Sequence, residues 1–357
     1  MLFILDLLLI LSCSIFIVFL FSTEKVINII LGVYLIFYSI IVLTGEVASL
    51  FYLLNNILFH VLFHFGLCLL FAWLYRRYGK SSIQDTFSFI LIRNFLAKTW
   101  KLLKDQPALL VLALGVFIAY LLNAVIILTV PPNNYDSMTT HMVRVGYWLQ
   151  FGSFLHWASQ NILQIIYPIN AQSQILWTVL MTGSDHLAGF VQFMGIPIGG
   201  ISIIGICRLL NYSRPQSVFA GLLWMTLPEI ILQSTTTQND LVVSGLIIAC
   251  VYFLYDGLIS GNSEAFVLSS LALGLALGTK QTTFFILPGL GLICLIIFLT
   301  NKQFVAKNMV LWGITSMISF LLLGSFIYLA NFIQYKNPFG PDYVVSSQSG
   351  NFFQWKP

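Results

Sequence analysis

Long apolar segments separated by short polar ones repeat along almost the whole chain. A helix that crosses a membrane needs about 20 apolar residues in succession. The pattern predicts ten such helices, and the eighth is short and joined to the ninth by the sequence GTKQTT, which favours a tight hairpin. The predicted spans are residues 2–21, 26–45, 47–75, 107–130, 185–209, 215–232, 239–257, 265–279, 282–300 and 309–332.

The composition agrees with an all-α polytopic membrane protein. Hydrophobic residues make up 59% of the chain and the mean hydropathy is +0.92, which leaves too little polar surface for a soluble protein of this length. Only helices and closed barrels satisfy the backbone in lipid, and these segments lack the alternation of barrel strands. The five cysteines lie in apolar segments without a CxxC pair, so they indicate packing rather than a metal site or disulfides.

Basic residues orient the predicted helices, because Lys and Arg collect in cytoplasmic loops. Such residues follow the third span in YRRYGK and precede the fourth at Arg93, Lys98, Lys101 and Lys104. Two later loops are flanked by Arg208 and Arg214 and by Lys302 and Lys307. With these loops inside, residues 131–184 lie outside and contain Arg144 as their only Lys or Arg. The 257–264 loop also falls inside, although it contains neither. We therefore expect a multi-pass protein of the plasma (inner) membrane with both ends of this chain outside.

Four regions follow from this arrangement. Residues 1–75 form an N-terminal three-helix membrane segment, and residues 76–106 form an inner-surface segment. Within the latter, 83–104 carries apolar residues at helical spacing with Lys and Arg between them, which is typical of an amphipathic helix on a membrane surface. Residues 107–332 form a transmembrane module whose large outer loop is 131–184, and residues 333–357 form a polar outer tail.

The outer loop begins with a cluster of polar residues in PPNNYDSMTTHMVRVGYWLQFGS, residues 131–153. The prolines end the fourth helix, and a short interfacial helix is predicted from Ser137. Its shared face contains Met138, His141 or Met142, Val145, and Trp148 or Leu149, with Tyr147 and Trp148 suited to the interface. Asp136 at the start of this helix is either an N-cap or a functional carboxylate, and His141 and Arg144 are either functional or ordinary interfacial residues.

Two further clusters are predicted on the same side of the membrane. In QSTTTQNDL, Asp240 opens the seventh span, where a carboxylate is costly unless it has a function or caps the helix with Asn239. In GLALGTKQTTF, Lys280 lies between two apolar spans, where it must snorkel to water or meet an anion. Carboxylates and cations together at one membrane face suit chemistry on a lipid-linked phosphate.

These blocks, together with GSDHLAGFVQF, appear in an order that resembles bacterial members of the GT-C superfamily of membrane glycosyltransferases. The resemblance is to the group of the dolichyl-phosphate-mannose protein mannosyltransferases and aminoarabinose transferases, and it covers about residues 107–332. It implies a helical fold with an active site at the outer membrane face. It also implies that Asp136 matches the catalytic acidic residue of the first outer loop and that Lys280 suits the lipid phosphate. Relatives continue with more helices or an outer soluble domain, so this chain can belong to a longer protein or need a partner subunit.

The sequence thus predicts an inverting glycosyltransferase with a polyprenyl-phosphate sugar as donor and a lipid, glycan or protein hydroxyl as acceptor. Asp136 is the predicted general base and Lys280 with Arg144 the predicted phosphate-binding cations. The predicted substrate-binding residues are His141, Asn239 and Asp240. The carboxylates and histidines can ligate a divalent cation, but no ligand spacing demands one. No nucleic-acid partner is expected. The alternatives are a transporter or flippase for a lipid-linked or anionic solute and a non-catalytic membrane subunit of a larger assembly.

Overall fold

The computed structural model describes residues 2–21, 25–79, 89–300 and 306–348, and every regular element in them is helical. This confirms the predicted all-α class. Three predicted features lie partly or wholly outside the described residues: positions 83–88 of the surface segment, Lys302, and positions 349–357 of the tail. The helices are α1 (Leu2–Leu20), α2 (Val26–Leu50), α3 (Ile57–Tyr78), α4 (Phe89–Asp105), α5 (Pro107–Thr129), α6 (Met142–Phe151), α7 (Leu163–Ile166), α8 (Asn170–Thr182), α9 (Gly189–Leu209), α10 (Arg214–Met225), α11 (Pro228–Gln233), α12 (Asp240–Ser260), α13 (Ser263–Leu277), α14 (Leu287–Thr300), α15 (Ala306–Leu323), α16 (Phe326–Tyr335) and α17 (Asp342–Gln348). A π-helical turn, Ser137–His141, precedes α6, and a 3₁₀ turn, Gln281–Ile286, precedes α14.

Seven helices in the described residues are long and apolar enough to cross a membrane, and an eighth is counted if α15 and α16 form one bent span. The seven are α1, α2, α3, α5, α9, α12 and the continuous stretch Gln281–Thr300. Helix α13 is apolar and largely buried but has only 15 residues. The ten predicted spans therefore reduce to seven or eight, and the other differences have local causes.

The predicted span at 215–232 is broken into α10 and α11. Pro228 opens α11 and cannot donate the backbone hydrogen bond that would continue α10. The break frees the carbonyl of Met225, which accepts a hydrogen bond of 2.7 Å from the Tyr120 hydroxyl of α5. A neighbouring side chain thus satisfies the interrupted backbone, as it must in lipid.

The predicted span at 309–332 is bent by 68° between α15 and α16. The carbonyl of Leu323, at the end of α15, accepts a 2.6 Å hydrogen bond from the side-chain amide of Asn170 instead of continuing the helical ladder. The same amide approaches Gly278 so closely that a Cβ there would lie 2.3 Å from Asn170 Nδ2. Since Gly324 also packs against Gly274 and Gly278, the bend lies beside the end of α13.

The turn between α2 and α3 comes later than predicted, because α2 remains helical through Gly45 and ends at Leu50. This turn packs against the segment after α6. The Leu54 amide donates to the Gly152 carbonyl over 3.0 Å, and the hydroxyls of Ser49 and Ser153 lie 2.9 Å apart. The α2–α3 turn therefore lies at the same end of the helices as the 131–184 loop.

The N-terminal helices pack directly against the rest of the chain, with α2 in contact with α8, α9 and α13. A fully buried carboxylate links the two parts: Asp6 accepts hydrogen bonds from Trp177 Nε1 of α8 at 2.7 Å and from His64 Nδ1 of α3 at 2.8 Å. Buried charges persist in a membrane protein when they are paired in this way. The division of the chain at residue 75 stays a prediction.

At the opposite end of the helices, Lys25 pairs with Asp256 over 2.6 Å. Asp256 lies near the end of α12, just before the turn that contains no Lys or Arg. The pair therefore places that turn at the same end as the basic residue that precedes α2, which agrees with the predicted topology. Which end faces the cytoplasm stays a prediction.

Candidate active site

A cavity of about 370 Å³ lies where three distant segments meet: the region around α6, the residues before α12, and the link between α13 and the 3₁₀ turn. All six site residues predicted from the sequence line it, namely Asp136, His141, Arg144, Asn239, Asp240 and Lys280. Its remaining lining residues are Thr140, Leu163, Tyr167, Pro168, Gln238, Thr279, Gln281 and Thr282. The three polar clusters of the sequence thus form one site, and the functions of these residues stay predictions.

Asp136 does not act as a helix cap. Its backbone is already helical and its side chain makes no capping hydrogen bond. The side chain is exposed, and its Oδ2 accepts a hydrogen bond of 2.8 Å from Gln238 Nε2. Among the described residues nothing donates to Oδ1, so this oxygen is free to accept a proton.

The π-helical turn sets which side chains of this segment face inward. Such turns insert one extra residue and occur frequently at functional sites. The buried Ser137 hydroxyl anchors the turn, because it accepts a 3.1 Å hydrogen bond from the Thr237 amide. The predicted shared face is consequently wrong at Met138, which is 53% exposed. Trp148 is buried among protein side chains, and its predicted interfacial position stays a prediction.

His141 is held as a neutral imidazole. Its Nδ1 contacts Nε2 of the Gln172 amide, which donates to it. Burial, followed by the nearby charge of Arg144, lowers the pKa of His141 to about 4. With Nδ1 accepting, the ring proton resides on Nε2, which makes His141 a neutral hydrogen-bond donor at physiological pH.

Arg144 is fully buried and holds the wall of the cavity together. Its two terminal nitrogens donate to the carbonyls of Pro168 at 2.9 Å and Tyr167 at 2.6 Å. Its guanidinium lies 4.8 Å from the centre of the Trp148 ring, within range of a cation–π interaction. Burial lowers the pKa of Arg144 to about 9, so it stays charged near neutral pH. This geometry favours a positioning role over the predicted direct binding of phosphate.

Lys280 is paired with a carboxylate. Its ammonium donates to Asp240 Oδ1 over 2.5 Å, and the two side chains are 34% and 39% exposed. The anion that Lys280 meets in this structure is therefore a residue of the protein. Asp240 is the first residue of α12 and makes this pair instead of a cap with Asn239.

The three consecutive residues before and at the start of α12 contact different walls of the cavity. Gln238 contacts Asp136, Asn239 donates from Nδ2 to the Thr279 carbonyl over 3.0 Å, and Asp240 pairs with Lys280. The segment 238–240 thus connects the three clusters directly.

Comparison with known proteins bears on the second half of this site. Residues 175–328 match the family model of the dolichyl-phosphate-mannose-protein mannosyltransferases. The matched segment contains Asn239, Asp240 and Lys280 and begins after Asp136. It confirms the predicted resemblance to this group of membrane glycosyltransferases over that part of the chain. Neither a curated protein nor a solved structure gives a significant match to the chain.

Sequence reasoning missed several residues that build the site. Gln238 adjoins Asn239 and Asp240, and its position beside two candidates was the only signal for it. Gln172 had no signal, because it lies in a segment without a predicted span. Tyr38 of α2 reaches the region beneath the cavity, where its hydroxyl lies 3.0 Å from that of Thr279. In the described part of the chain, no group of three or more His, Cys, Asp and Glu is arranged to hold a metal ion.

Proposed function

We propose that this protein transfers a sugar from a polyprenyl-phosphate donor to an acceptor hydroxyl at the outer membrane face, with inversion at the anomeric carbon. The observation that supports this most is the joint lining of one cavity by Asp136 and Lys280, which lie on elements far apart in the sequence. A carboxylate and an ammonium there match the two charges that such a transfer must handle. The family match adds a lipid-linked sugar donor and a glycan or protein acceptor in general terms.

Asp136 is the proposed general base. Gln238 holds its Oδ2, and Oδ1 must come within about 3 Å of the acceptor hydroxyl. As Oδ1 takes the proton, the acceptor oxygen forms a bond to the anomeric carbon. The bond from that carbon to the phosphate oxygen breaks, and its electron pair leaves with the polyprenyl phosphate. Attack from the face opposite the phosphate gives inversion.

Lys280 is the proposed partner of the leaving phosphate. Charge develops on the phosphate as the bond breaks, and a positioned cation stabilises that charge without rearrangement of solvent. Arg144 adds a fixed positive charge in the cavity wall, where it also donates to the carbonyls of residues 167 and 168. His141, through its Nε2 proton, and Asn239 supply neutral polar contacts for the sugar or the acceptor.

The alternative function is that of a transporter or flippase. The bend between α15 and α16 is relevant to it, because broken helices at mid-membrane are typical of transporters. Here the bend lies beside Gly278, two residues before Lys280, at the level of the cavity. The irregular backbone and the polar side chains thus occupy one end of the helices, which favours chemistry at a membrane face.

The deciding experiment supplies purified protein with a panel of polyprenyl-phosphate sugars and candidate acceptors. Release of polyprenyl phosphate together with a glycosylated acceptor supports the proposed transfer. The matched arm measures movement of the same lipids across proteoliposomes. Movement without cleavage of the sugar–phosphate bond would establish the transporter function in its place.

A further inference from the structure

Positive and negative side chains are equal in number among the residues that line the cavity. Its lining includes two carboxylates, Asp136 and Asp240, and two cations, Arg144 and Lys280. His141 is neutral. The other described lining residues carry no formally charged side chain. The formal charge of this part of the wall is therefore zero.

Only one of the two cations can exchange its partner. Arg144 is buried and bonded to two backbone carbonyls, whereas Lys280 and Asp240 are each more than a third exposed to the cavity. Asp240 also lies in the first turn of α12, where the helix N-terminus stabilises a carboxylate after the ammonium has turned away. A ligand phosphate can therefore replace Asp240 as the ion-pair partner of Lys280. The carboxylates of Asp136 and Asp240 then both face the ligand.

We infer that Asp240 makes this cavity selective for a singly charged phosphodiester over a doubly charged phosphomonoester. This inference rests on the proposed function, in which the donor is the phosphodiester and the released polyprenyl phosphate is the phosphomonoester. The donor brings one negative charge to Lys280, and this charge takes the place of the Asp240 carboxylate as the partner of the ammonium. The product brings a second charge, which meets Asp240 and Asp136 without a further free cation among the described lining residues.

The transfer reaction itself produces the second negative charge on the phosphate, which is the charge that distinguishes the product from the donor. Before transfer, Asp136 and the donor phosphate carry one negative charge each. Afterwards Asp136 carries the acceptor proton and the phosphate holds the electron pair, and so carries both charges. When Asp136 releases its proton to water, the product faces two carboxylates and one exchangeable cation. Asp240 thereby favours departure of the product and entry of the next donor.

The test compares two short-chain lipids, farnesyl phosphate as the monoester and methyl farnesyl phosphate as the diester, with farnesol as an uncharged control. Affinities are measured by calorimetry for the wild type, Asp240→Asn and Asp185→Asn in the same detergent and salt. Asp185 lies outside the cavity, and its substitution makes the same change in net charge. A phosphomonoester has a second pKa of about 6, so titrations at about pH 8 and about pH 5 compare its two charge states.

At about pH 8 we expect the wild type and Asp185→Asn to bind the diester about 10-fold more tightly than the monoester, which corresponds to about 1.4 kcal/mol. Asp240→Asn should bring this ratio close to one, chiefly by tightening the monoester. At about pH 5 the wild-type ratio should also shrink, because most of the monoester has gained a proton. His141 stays neutral at both values, since its pKa is about 4.

Two outcomes contradict the inference while leaving the proposed function intact: equal affinities for both esters in the wild type, or an unchanged ratio in Asp240→Asn. If neither phosphate ester binds the wild type better than farnesol does, the donor site itself is refuted along with the inference. The pH comparison uses the wild type alone, so it tests the preference for the diester even if Asp240→Asn fails to fold.

Discussion

Gln238 donates a hydrogen bond to Asp136 over 2.8 Å, across 102 positions of sequence. This contact orients a carboxylate that is otherwise exposed, and it leaves one oxygen of that carboxylate without a partner among the described residues. It also connects the residues before α6 to the segment that begins α12, two residues before Asp240.

Asp136→Asn should abolish most of the turnover and leave the affinity for donor lipid almost unchanged. An amide cannot accept the acceptor proton, and general-base catalysis contributes about 10²–10⁴-fold. The measurement is turnover under donor saturation, with Asp185→Asn, outside the cavity, as the control for a lost negative charge. A folded Asp136→Asn protein with full activity would show that this carboxylate is not the base.

Gln238→Leu should lower the turnover about 10-fold, because a hydrogen bond to a charged group is worth about 1.5–3 kcal/mol and here it orients the base. The Michaelis constant for donor should change little, since Gln238 contacts Asp136 and not Lys280. Gln238→Asn keeps the amide on a shorter stem and should be intermediate. Equal loss in a protein that already carries Asp136→Asn would contradict action through Asp136.

Lys280→Gln should weaken donor binding or slow transfer by about 10- to 150-fold, which corresponds to a charge-assisted hydrogen bond of about 1.5–3 kcal/mol. Lys280→Arg should restore only part of this, because a planar guanidinium does not replace a compact ammonium. The melting temperature should change little, since half-exposed ion pairs contribute about 0–1 kcal/mol to stability. Unchanged affinity and turnover in Lys280→Gln would reduce the residue to a structural partner of Asp240.

Arg144→Met should destabilise the protein by about 2–4 kcal/mol, because a buried and a half-buried carbonyl lose their donors and each such loss costs about 1–3 kcal/mol. Arg144→Lys should recover part of the stability, since a single ammonium retains the charge but cannot reproduce the planar fork. Thermal unfolding in detergent gives the comparison. If Arg144→Met unfolds like the wild type but loses donor affinity, Arg144 binds phosphate directly.

Single cysteines should report the orientation of the membrane helices. In a cysteine-free background, Tyr135→Cys should react with an impermeant thiol reagent added to intact cells, because Tyr135 is 79% exposed beside Asp136. Lys98→Cys, on α4 at the predicted inner surface, should react only after the cells are opened. The reverse pattern would place the cavity on the cytoplasmic face.

The sequence predicted the meeting of the three polar clusters because charged residues are so few that each one in an apolar chain is informative. Asp136, Asp240 and Lys280 stood out for that reason. It predicted the number and continuity of helices less well. The break before Pro228 and the bend after Leu323 depend on side chains from other helices, Tyr120 and Asn170, that satisfy the freed carbonyls.

The sequence also did not predict the contacts that its charged residues make. Nothing in the spacing of residues indicated that Asp240 contacts Lys280, or that Arg144 directs its nitrogens to backbone carbonyls. The one-residue shift of the π-helical turn explains why Met138 was assigned to the wrong face, because regular periodicity cannot anticipate an inserted residue. Polar residues without charge, such as Gln172 and Gln238, became visible only through their contacts.

The side chain of Asn170 has a consequence for the order in which the protein is made. It holds the Leu323 carbonyl, 153 positions later in the chain, and the backbone amide of Asn170 donates to the Gly278 carbonyl two residues before Lys280. While the ribosome is still synthesising the segment before α15, one of these partners does not yet exist. Until α15 is made, the Asn170 side chain keeps its longer contact with the Leu275 carbonyl, 3.3 Å, but lacks its 2.6 Å partner, so the packing of α8 is completed late in synthesis.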